Sequence, residues 1–107
     1  MEINQYSIVL VNLDPTLGSE IQKTRPCVIV SPDEMNKHLN TIVLAQMTTN
    51  LKQYPTRVPV EHDGKQGMIV LDQLRTVDKV RVLKVLGKLT KSEIKTSKDV
   101  IRETFVE

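Results

Sequence analysis

The sequence predicts a small, mainly β protein that ends in one α-helix. Short runs of β-branched and aliphatic residues alternate with turn-forming residues along most of the chain, with no long helical pattern between them. The period becomes helical only near the C-terminus, after a capping sequence. About six short strands at this spacing favour a small barrel or sandwich. The helix is then expected to pack against that barrel or against a partner.

Length and composition support one globular domain spanning residues 1–107. A chain of 107 residues is too short for two independent cores. Hydrophobic residues make up 39% and charged residues 26%, which is typical of a folded domain rather than a disordered one. The lone cysteine excludes an internal disulfide, and no apolar run is long enough to span a bilayer. We therefore expect a cytoplasmic protein without membrane contact.

The first half of the chain contains three predicted strands. Residues 7–13 form the first, and a polar loop with turn-forming residues follows it up to residue 25. Pro26 stands where a strand can begin, and the apolar run 27–30 continues it. Residues 33–40 are predicted as a helical turn or a loop, and residues 41–48 as the third strand.

The second half continues with shorter strands. Pro59 makes the run 56–60 an edge strand, because proline cannot donate to a sheet ladder. Asp63-Gly64 predicts a tight hairpin turn. Residues 67–71 and 73–77 are predicted as two further strands. Residues 79–89 are ambiguous, with Val80, Val82 and Leu83 compatible with a short helix and residues 85–89 with a last strand.

The C-terminal helix has a defined start. Thr90 as N-cap and Glu93 three residues later form a capping box. Ile94, Ile101 and Phe105 recur at helical spacing and predict one apolar face over about four turns.

Charge is unevenly distributed along the chain. Residues 79–107 carry eight Lys/Arg against four Asp/Glu, whereas residues 1–78 carry seven against nine. This asymmetry fits a face that meets a polyanion, and it fits a merely solvated basic surface equally well. Aromatic residues are only Tyr6, Tyr54 and Phe105, so a ladder of base-stacking platforms is excluded. Any contact with RNA must rely on the backbone and on hydrogen bonds.

The long polar loop before Pro26 is the most informative segment for function. Long loops inside compact domains are often functional, and this one contains Glu20, Lys23, Thr24 and Arg25. Arg25 precedes a proline, so its backbone is biased toward an extended conformation at the root of a strand. A guanidinium held there offers a planar fork of donors suited to phosphate. The alternative is a surface arginine in an ordinary ion pair.

The other side chains that could take part in chemistry are mostly predicted to have structural roles. Cys27 begins an apolar strand and is expected to be a small buried hydrophobe rather than a nucleophile. His38 and His62 fall in polar connecting segments, where a solvated role is favoured over an acid–base pair or a metal ligand. Asp72 is expected to be buried and paired with Arg75. Thr48 and Thr49 end a strand, where hydroxyls either satisfy turn backbone groups or donate to a phosphoryl oxygen.

The sequence resembles the MazF/PemK toxins of bacterial toxin–antitoxin modules. The likeness covers essentially the whole chain, in order, spacing and length. It is carried by VNLDPTLGSEIQKTRPCVIVSP at 11–32, VLAQMTT at 43–49, GMIVLDQLRTVDK at 67–79 and LGKL at 86–89. The resemblance implies an SH3-like barrel of the CcdB/MazF/PemK type with a C-terminal helix.

The resemblance also implies a function. Members of this family are homodimeric toxins that cleave single-stranded RNA at short sequences, without a metal or other cofactor. A cognate antitoxin inhibits them by laying an acidic, extended segment over the RNA groove, and DNA is contacted only indirectly through the antitoxin. A related barrel fold poisons DNA gyrase, which is the alternative function to be tested.

Individual positions of the family motifs can be carried over. Arg25 of KTRP matches the arginine implicated in catalysis, Thr48 of QMTT matches the threonine that assists it, and Glu20 falls on the acidic position of the loop. We expect Glu20 to act as base or as a substrate-positioning residue. The polar neighbours of these residues are expected to bind substrate: Ser19, Lys23, Thr24, Thr49, Asp72, Gln73 and Arg75.

Two positions separate this chain from one branch of the family. Ser19 stands where that branch has a functional histidine, and Val70 stands where it has a catalytic arginine, while Asp72 keeps the aspartate. The chain therefore resembles the branch that relies on the KTRP arginine and the strand-end threonine. The reaction implied is transesterification, with the ribose 2′-hydroxyl attacking the adjacent phosphorus.

Overall fold

The computed structural model describes residues 2–13 and 23–106, in which one antiparallel sheet accounts for most of the chain. Its six strands are β1 (Ser7–Asn12), β2 (Thr24–Ile29), β3 (Thr41–Thr48), β4 (Arg57–His62), β5 (Lys65–Asp78) and β6 (Val82–Lys88). A short helix α1 (Asp33–His38) precedes β3, and helix α2 (Lys91–Ile101) follows β6. A 3₁₀ turn (Lys79–Arg81) precedes β6, and a π-helical segment (Arg102–Val106) follows α2.

The strands are ordered β4-β5-β3-β2-β1-β6 and curl into a half-barrel. All five strand pairs are antiparallel. The architecture confirms the predicted class, a mainly β domain with a C-terminal helix. Pro59 is exposed on β4, which is an edge strand as predicted.

The core lies on both faces of the curled sheet. Because side chains alternate along a strand, Val28 of β2 enters one buried cluster while Cys27 and Ile29 enter the other. The first cluster is covered by the apolar residues of α2, including Ile94 and Ile101. Burial on both faces explains why β1 and the second half of β2 are nearly continuous apolar runs.

Strand β2 begins earlier than predicted, and this position matters for the site. Pairing with β1 continues through Val11 opposite Arg25 and Asn12 opposite Thr24. Backbone pairing with a neighbouring strand therefore extends β2 across Pro26. As a result, Arg25 lies within a strand rather than in the preceding loop.

The two strands predicted at 67–71 and 73–77 form one continuous strand, β5. Its pairing with β3 changes register between Ala45 opposite Leu74 and Met47 opposite Ile69. Residues 70–73 of β5 are therefore not matched to β3, and Val70 pairs with Arg57 of β4 instead. The polar stretch around residue 72, where the two predicted strands meet, marks an irregularity within one strand rather than a break between two strands.

The local signals at turns and helix ends are largely confirmed. Asp63 and Gly64 have φ angles of 55° and 73°, as a two-residue type I′ hairpin requires. Thr90 Oγ1 accepts a hydrogen bond from the Glu93 amide at 3.2 Å, and Glu93 Oε1 accepts one from the Thr90 amide at 2.9 Å. These two bonds form the predicted capping box.

The predicted helical face is wrong at its C-terminal end. The backbone leaves the α-helical period after Ile101, and Phe105 in the π-helical segment is 53% exposed. The change of period turns Phe105 away from the core that Ile94 joins.

Candidate active site

A surface cavity of about 570 Å³ lies over the ends of β2 and β3. Arg25 and Thr48 both line it, together with Gln46, Thr49, His62 and Lys65. The structure therefore brings the arginine and threonine that the sequence singles out into one concavity. With Arg25 and Lys65 against one carboxylate, that of Asp63, the described residues that line this cavity carry an excess of cationic groups.

Strand pairing explains why Arg25 and Thr48 meet. Cys27 of β2 pairs with Gln46 of β3 in an antiparallel register. Continuing that register by two residues places Arg25 across from Thr48, and side chains of opposed residues project from the same face of a sheet. The site thus rests on two neighbouring strands of the core rather than on a loop tip.

The Thr48 hydroxyl is oriented by the turn that follows it. Thr48 Oγ1 accepts a hydrogen bond from the Asn50 amide at 3.2 Å. Asn50 Oδ1 accepts one from the Lys52 amide at 3.0 Å, which fixes the same turn. Because the hydroxyl uses an oxygen lone pair for this contact, its O–H remains able to donate to a substrate oxygen.

Cys27 lies beneath the site and is fully buried, as predicted. Burial raises the pKa of its thiol to about 12, against a smaller opposing effect of the Arg75 charge. The thiol points to the Arg25 carbonyl oxygen at 3.6 Å. A thiol with this pKa holds almost no thiolate at neutral pH, so it is unsuited to nucleophilic catalysis.

A second, smaller cavity of about 260 Å³ adjoins the first. Gln46, Met47 and Thr48 line both cavities. Arg57 lines only the second, and its guanidinium carbon lies 4.7 Å from the centroid of the Tyr54 ring. No sequence signal points to Arg57, because only the β4–β5 register shows that it faces this cavity.

Only some of the other predicted site residues line one of the two cavities. Thr49 lines the larger cavity and Gln73 the smaller one. Lys23, Thr24, Asp72 and Arg75 line neither cavity. The predicted residues Ser19 and Glu20 lie outside the described residues.

Two structural interpretations of polar residues are wrong. Asp72 is exposed and accepts a hydrogen bond from Thr56 Oγ1 at 3.0 Å, and among residues 2–13 and 23–106 it makes no ion pair with Arg75. Asp72 lies in the stretch 70–73 of β5 that is not matched to β3. His62 is half-buried rather than solvated, because its ring packs against the backbone of Gly87 on β6.

Metal-ligating and membrane-spanning features are both missing from the described residues. Within these parts of the chain, no group of three or more His, Cys, Asp and Glu side chains is arranged to hold a metal ion. No helix in residues 2–13 and 23–106 has the length and apolar character needed to cross a membrane.

Fold and site together define a small curled-sheet protein with a cationic cleft, the cavity in which Arg25 and Lys65 outnumber the one carboxylate, that of Asp63. Comparison with solved structures confirms this fold. MazF from Deinococcus radiodurans has a TM-score of 0.81 at 20% identity, covering 100% of this chain and 99% of that one. The Mycobacterium tuberculosis toxin MazF-mt6 has a TM-score of 0.78 at 22% identity, covering 94% of this chain and 96% of that one.

Sequence comparison establishes the family. The model for PemK-like, MazF-like toxins of type II toxin–antitoxin systems matches residues 4–105. The Endoribonuclease MazF of Staphylococcus epidermidis is 35% identical over 98 residues, covering 86% of this chain and 82% of that protein. The chain belongs to the PemK/MazF toxin family, and within it to the MazF-type endoribonucleases.

Proposed function

We propose that the protein cleaves single-stranded mRNA at specific short sequences by metal-independent transesterification. The observation that supports this mechanism is the shared cavity of Arg25 and Thr48. It combines a fork of cationic donors with a hydroxyl donor, next to open space that accommodates a phosphodiester. Such an arrangement requires no protein nucleophile, which agrees with the buried thiol of Cys27.

In this mechanism the substrate supplies its own nucleophile. The ribose 2′-hydroxyl loses its proton and attacks the adjacent phosphorus, the bond to the 5′-oxygen breaks, and that oxygen takes up a proton from water, which leaves a cyclic phosphate and a 5′-hydroxyl end. Negative charge grows on the non-bridging oxygens in the transition state, where Arg25 donates two N–H groups and Thr48 one O–H. Removing one preorganised donor of this kind typically costs ~10²–10³ in rate.

Proton transfer is assigned to the loop before β2. We propose Glu20 as the base that accepts the 2′-hydroxyl proton or as a residue that positions the nucleotide. Ser19, Lys23, Thr24 and the polar residues of β5 are proposed to bind neighbouring parts of the RNA. Holding the attacking oxygen in line with the leaving group supplies much of the remaining acceleration.

The proposed partners follow from the family. An endoribonuclease from a mycobacterial species with TM-score 0.83 and 19% identity has been solved in complex with its cognate antitoxin. We propose that an acidic, extended antitoxin segment inhibits this protein by covering the cationic cleft, and that DNA is bound only through that antitoxin. We also propose a cytoplasmic homodimer, for which the exposed apolar side chains Val80, Leu83 and Val85 near edge strand β6 offer a contact face.

The test is cleavage of single-stranded RNA by purified protein in excess chelator. The wild type should produce 5′-hydroxyl ends, whereas Arg25→Ala and Thr48→Ala should each cleave at least about tenfold more slowly. Arg102→Ala and Thr104→Ala are matched controls at exposed positions of the π-helical segment and should retain the wild-type rate. Full activity of folded Arg25→Ala would refute the mechanism, and loss of cleavage in chelator would refute metal independence.

Poisoning of DNA gyrase is the alternative function. The matches to the PemK/MazF family and to an endoribonuclease of that family do not favour it. It would act through the C-terminal helix and would need no arginine in the cleft. Inhibition of gyrase without any RNA cleavage would establish it in place of the nuclease.

A further inference from the structure

The smaller cavity occupies a defect in the sheet. Opposite Gln46, the pairing of β3 with β5 skips residues 70–73, and this leaves a gap beside Thr48. Arg57 and Val70 oppose each other across β4 and β5, so their side chains project on the same side, and both line the gap. The defect thus opens a polar recess directly next to the proposed catalytic threonine.

The Arg57 side chain is held in this recess. Its guanidinium stacks on Tyr54, and its backbone amide donates to the Tyr54 carbonyl oxygen at 3.0 Å. The ring contact limits the positions that the guanidinium can adopt, and the backbone hydrogen bond fixes the turn that carries Tyr54. A fixed planar fork is the form of cation that best matches a phosphate group.

Within the described residues, Arg57 has a positive charge without an anionic partner. The residue is half-buried, yet among residues 2–13 and 23–106 no carboxylate forms a salt bridge with it. Its Nε atom is buried and has no hydrogen-bond acceptor in those residues. Half-buried charges are normally paired, so an unpaired guanidinium facing a recess indicates a binding site for an anion.

The chemistry of the recess favours a phosphodiester of the RNA. Gln46, Asn50 and Gln73 supply neutral amide groups around the guanidinium, and no acidic side chain lines the recess within the described residues. Thr48 lies on the boundary between this recess and the cavity of Arg25. A single strand that crosses Thr48 would therefore place one phosphate near Arg25 and an adjacent phosphate near Arg57.

We propose that Arg57 is the centre of a second phosphate subsite, which binds a phosphodiester flanking the one that is cleaved. The subsite rests on the proposed ribonuclease function and deepens it. It explains how a chain with few aromatic residues positions its substrate: two guanidinium groups on either side of Thr48 hold the backbone at two points. Two-point binding restricts both the location and the direction of the strand.

The test is a double-mutant cycle between Arg57 and individual phosphates. The RNA spans a mapped cleavage position, carries a 2′-deoxy nucleotide there so that it cannot be cleaved, and has one phosphate at a time replaced by a neutral methylphosphonate. With wild-type protein, neutralising the subsite phosphate should weaken binding roughly tenfold. Arg57→Ala should bind unmodified RNA more weakly by a similar factor. Neutralising the subsite phosphate should then cause no further loss of affinity in this variant.

Two further measurements exclude general effects. Arg57→Ala should lower the salt dependence of binding, log Kd against log salt, by about 0.7, the value for one phosphate contact to a single strand. Arg102→Ala, an exposed arginine that lines neither cavity, should leave both the slope and the methylphosphonate profile unchanged. Arg57→Lys keeps the charge but loses the fork, so it should retain only part of the coupling, and it replaces Arg57→Ala if that variant does not fold.

The outcomes distinguish the subsite from the nuclease. If the wild type cleaves RNA but the Arg57 variants respond to every methylphosphonate as the wild type does, the subsite is refuted and the nuclease stands. The subsite is likewise refuted if the variants lose affinity only for an acidic antitoxin peptide. If the wild type cleaves no RNA, the proposed function fails, and the binding cycle scanned over every phosphate still decides whether Arg57 contacts one.

Discussion

Replacing Gly67 by alanine should impair cleavage without altering any side chain of the cleft that could act on RNA. Gly67 lies on β5 beside the end of β3, where Met68 pairs with Thr48. A Cβ atom added at Gly67 would lie 2.9 Å from the Thr48 carbonyl oxygen. That oxygen belongs to the backbone of a central strand, so the new methyl group can fit only if β5 and the end of β3 move apart.

The size of the movement can be worked out from the contact. Ordinary van der Waals contacts begin near 3.4 Å, so about 0.5 Å must be accommodated between β5 and Thr48. Since a 1 Å misplacement of a catalytic group can cost ~10²-fold in rate, half that shift predicts a loss of about tenfold. The overlap should also lower the free energy of unfolding by roughly 1–3 kcal/mol.

The assay compares initial cleavage rates at saturating RNA, corrected for the folded fraction from urea unfolding. Gly64→Ala is the matched control. A Cβ atom at this position has open space around it, but the alanine backbone must adopt the φ of 73° that Gly64 has. It should lose about 1 kcal/mol of stability through backbone strain and retain its cleavage rate. If folded Gly67→Ala cleaves as fast as the wild type while Thr48→Ala does not, the position of Thr48 is not critical and the reasoning is wrong.

The remaining predictions concern stability. Burial raises the pKa of Cys27 from 9.0 to about 12, so the unfolded chain loses this proton first. Stability should therefore fall as pH rises from 9.0 toward 12, by at most about 1.4 kcal/mol per pH unit, and the fall should be shallower in Cys27→Ala in urea unfolding. Glu93 Oε2 accepts from the Glu61 amide at 3.0 Å, in addition to the capping bond to Thr90. Glu93→Ala should therefore lower the free energy of unfolding by roughly 1–3 kcal/mol with an unchanged cleavage rate, whereas the exposed Glu103→Ala should alter neither.

Local features of the fold could be predicted from the sequence where short-range chemistry decides them. β3 has the predicted bounds, because its apolar run ends in a threonine pair and a polar loop. The Asp63-Gly64 turn and the capping box depend on residues within four positions of each other. Such signals carry their own physical cause and need no knowledge of the rest of the chain.

Features decided by pairing between distant strands could not be predicted. The polar pair Asp72 and Gln73 suggested a break, because the sequence does not show that β5 changes partners there without ending. The start of β2 was missed for the same reason, since it is set by pairing with β1. The helical spacing of Ile94, Ile101 and Phe105 predicts a buried Phe105, but the backbone leaves the α-helical period after Ile101.

The residues of the candidate site also differ in whether the sequence alone could indicate them. Arg25 and Thr48 could be proposed because they fall on the family motifs KTRP and QMTT, whereas their local sequence alone also fits a surface ion pair and a structural hydroxyl. Arg57 and His62 line the two cavities only because β4 curls toward β3 and β6, which is a property of the whole sheet. Their separation in sequence from Arg25 concealed that proximity.

The location of the cleft at strand ends reconciles rigidity with access to substrate. Each donor is two or three residues from a fully buried position, since Arg25 is two residues from Cys27 and Thr48 is three residues from Ala45. The backbone beneath the donors is therefore fixed by close packing, while the side chains themselves reach solvent. If catalysis depends on donors held ready for charge on a phosphorus centre, this support is as necessary as the guanidinium, because a donor that must reorganise loses most of its effect. Substitutions in the packed residues below the cleft should thus reduce cleavage before they unfold the protein.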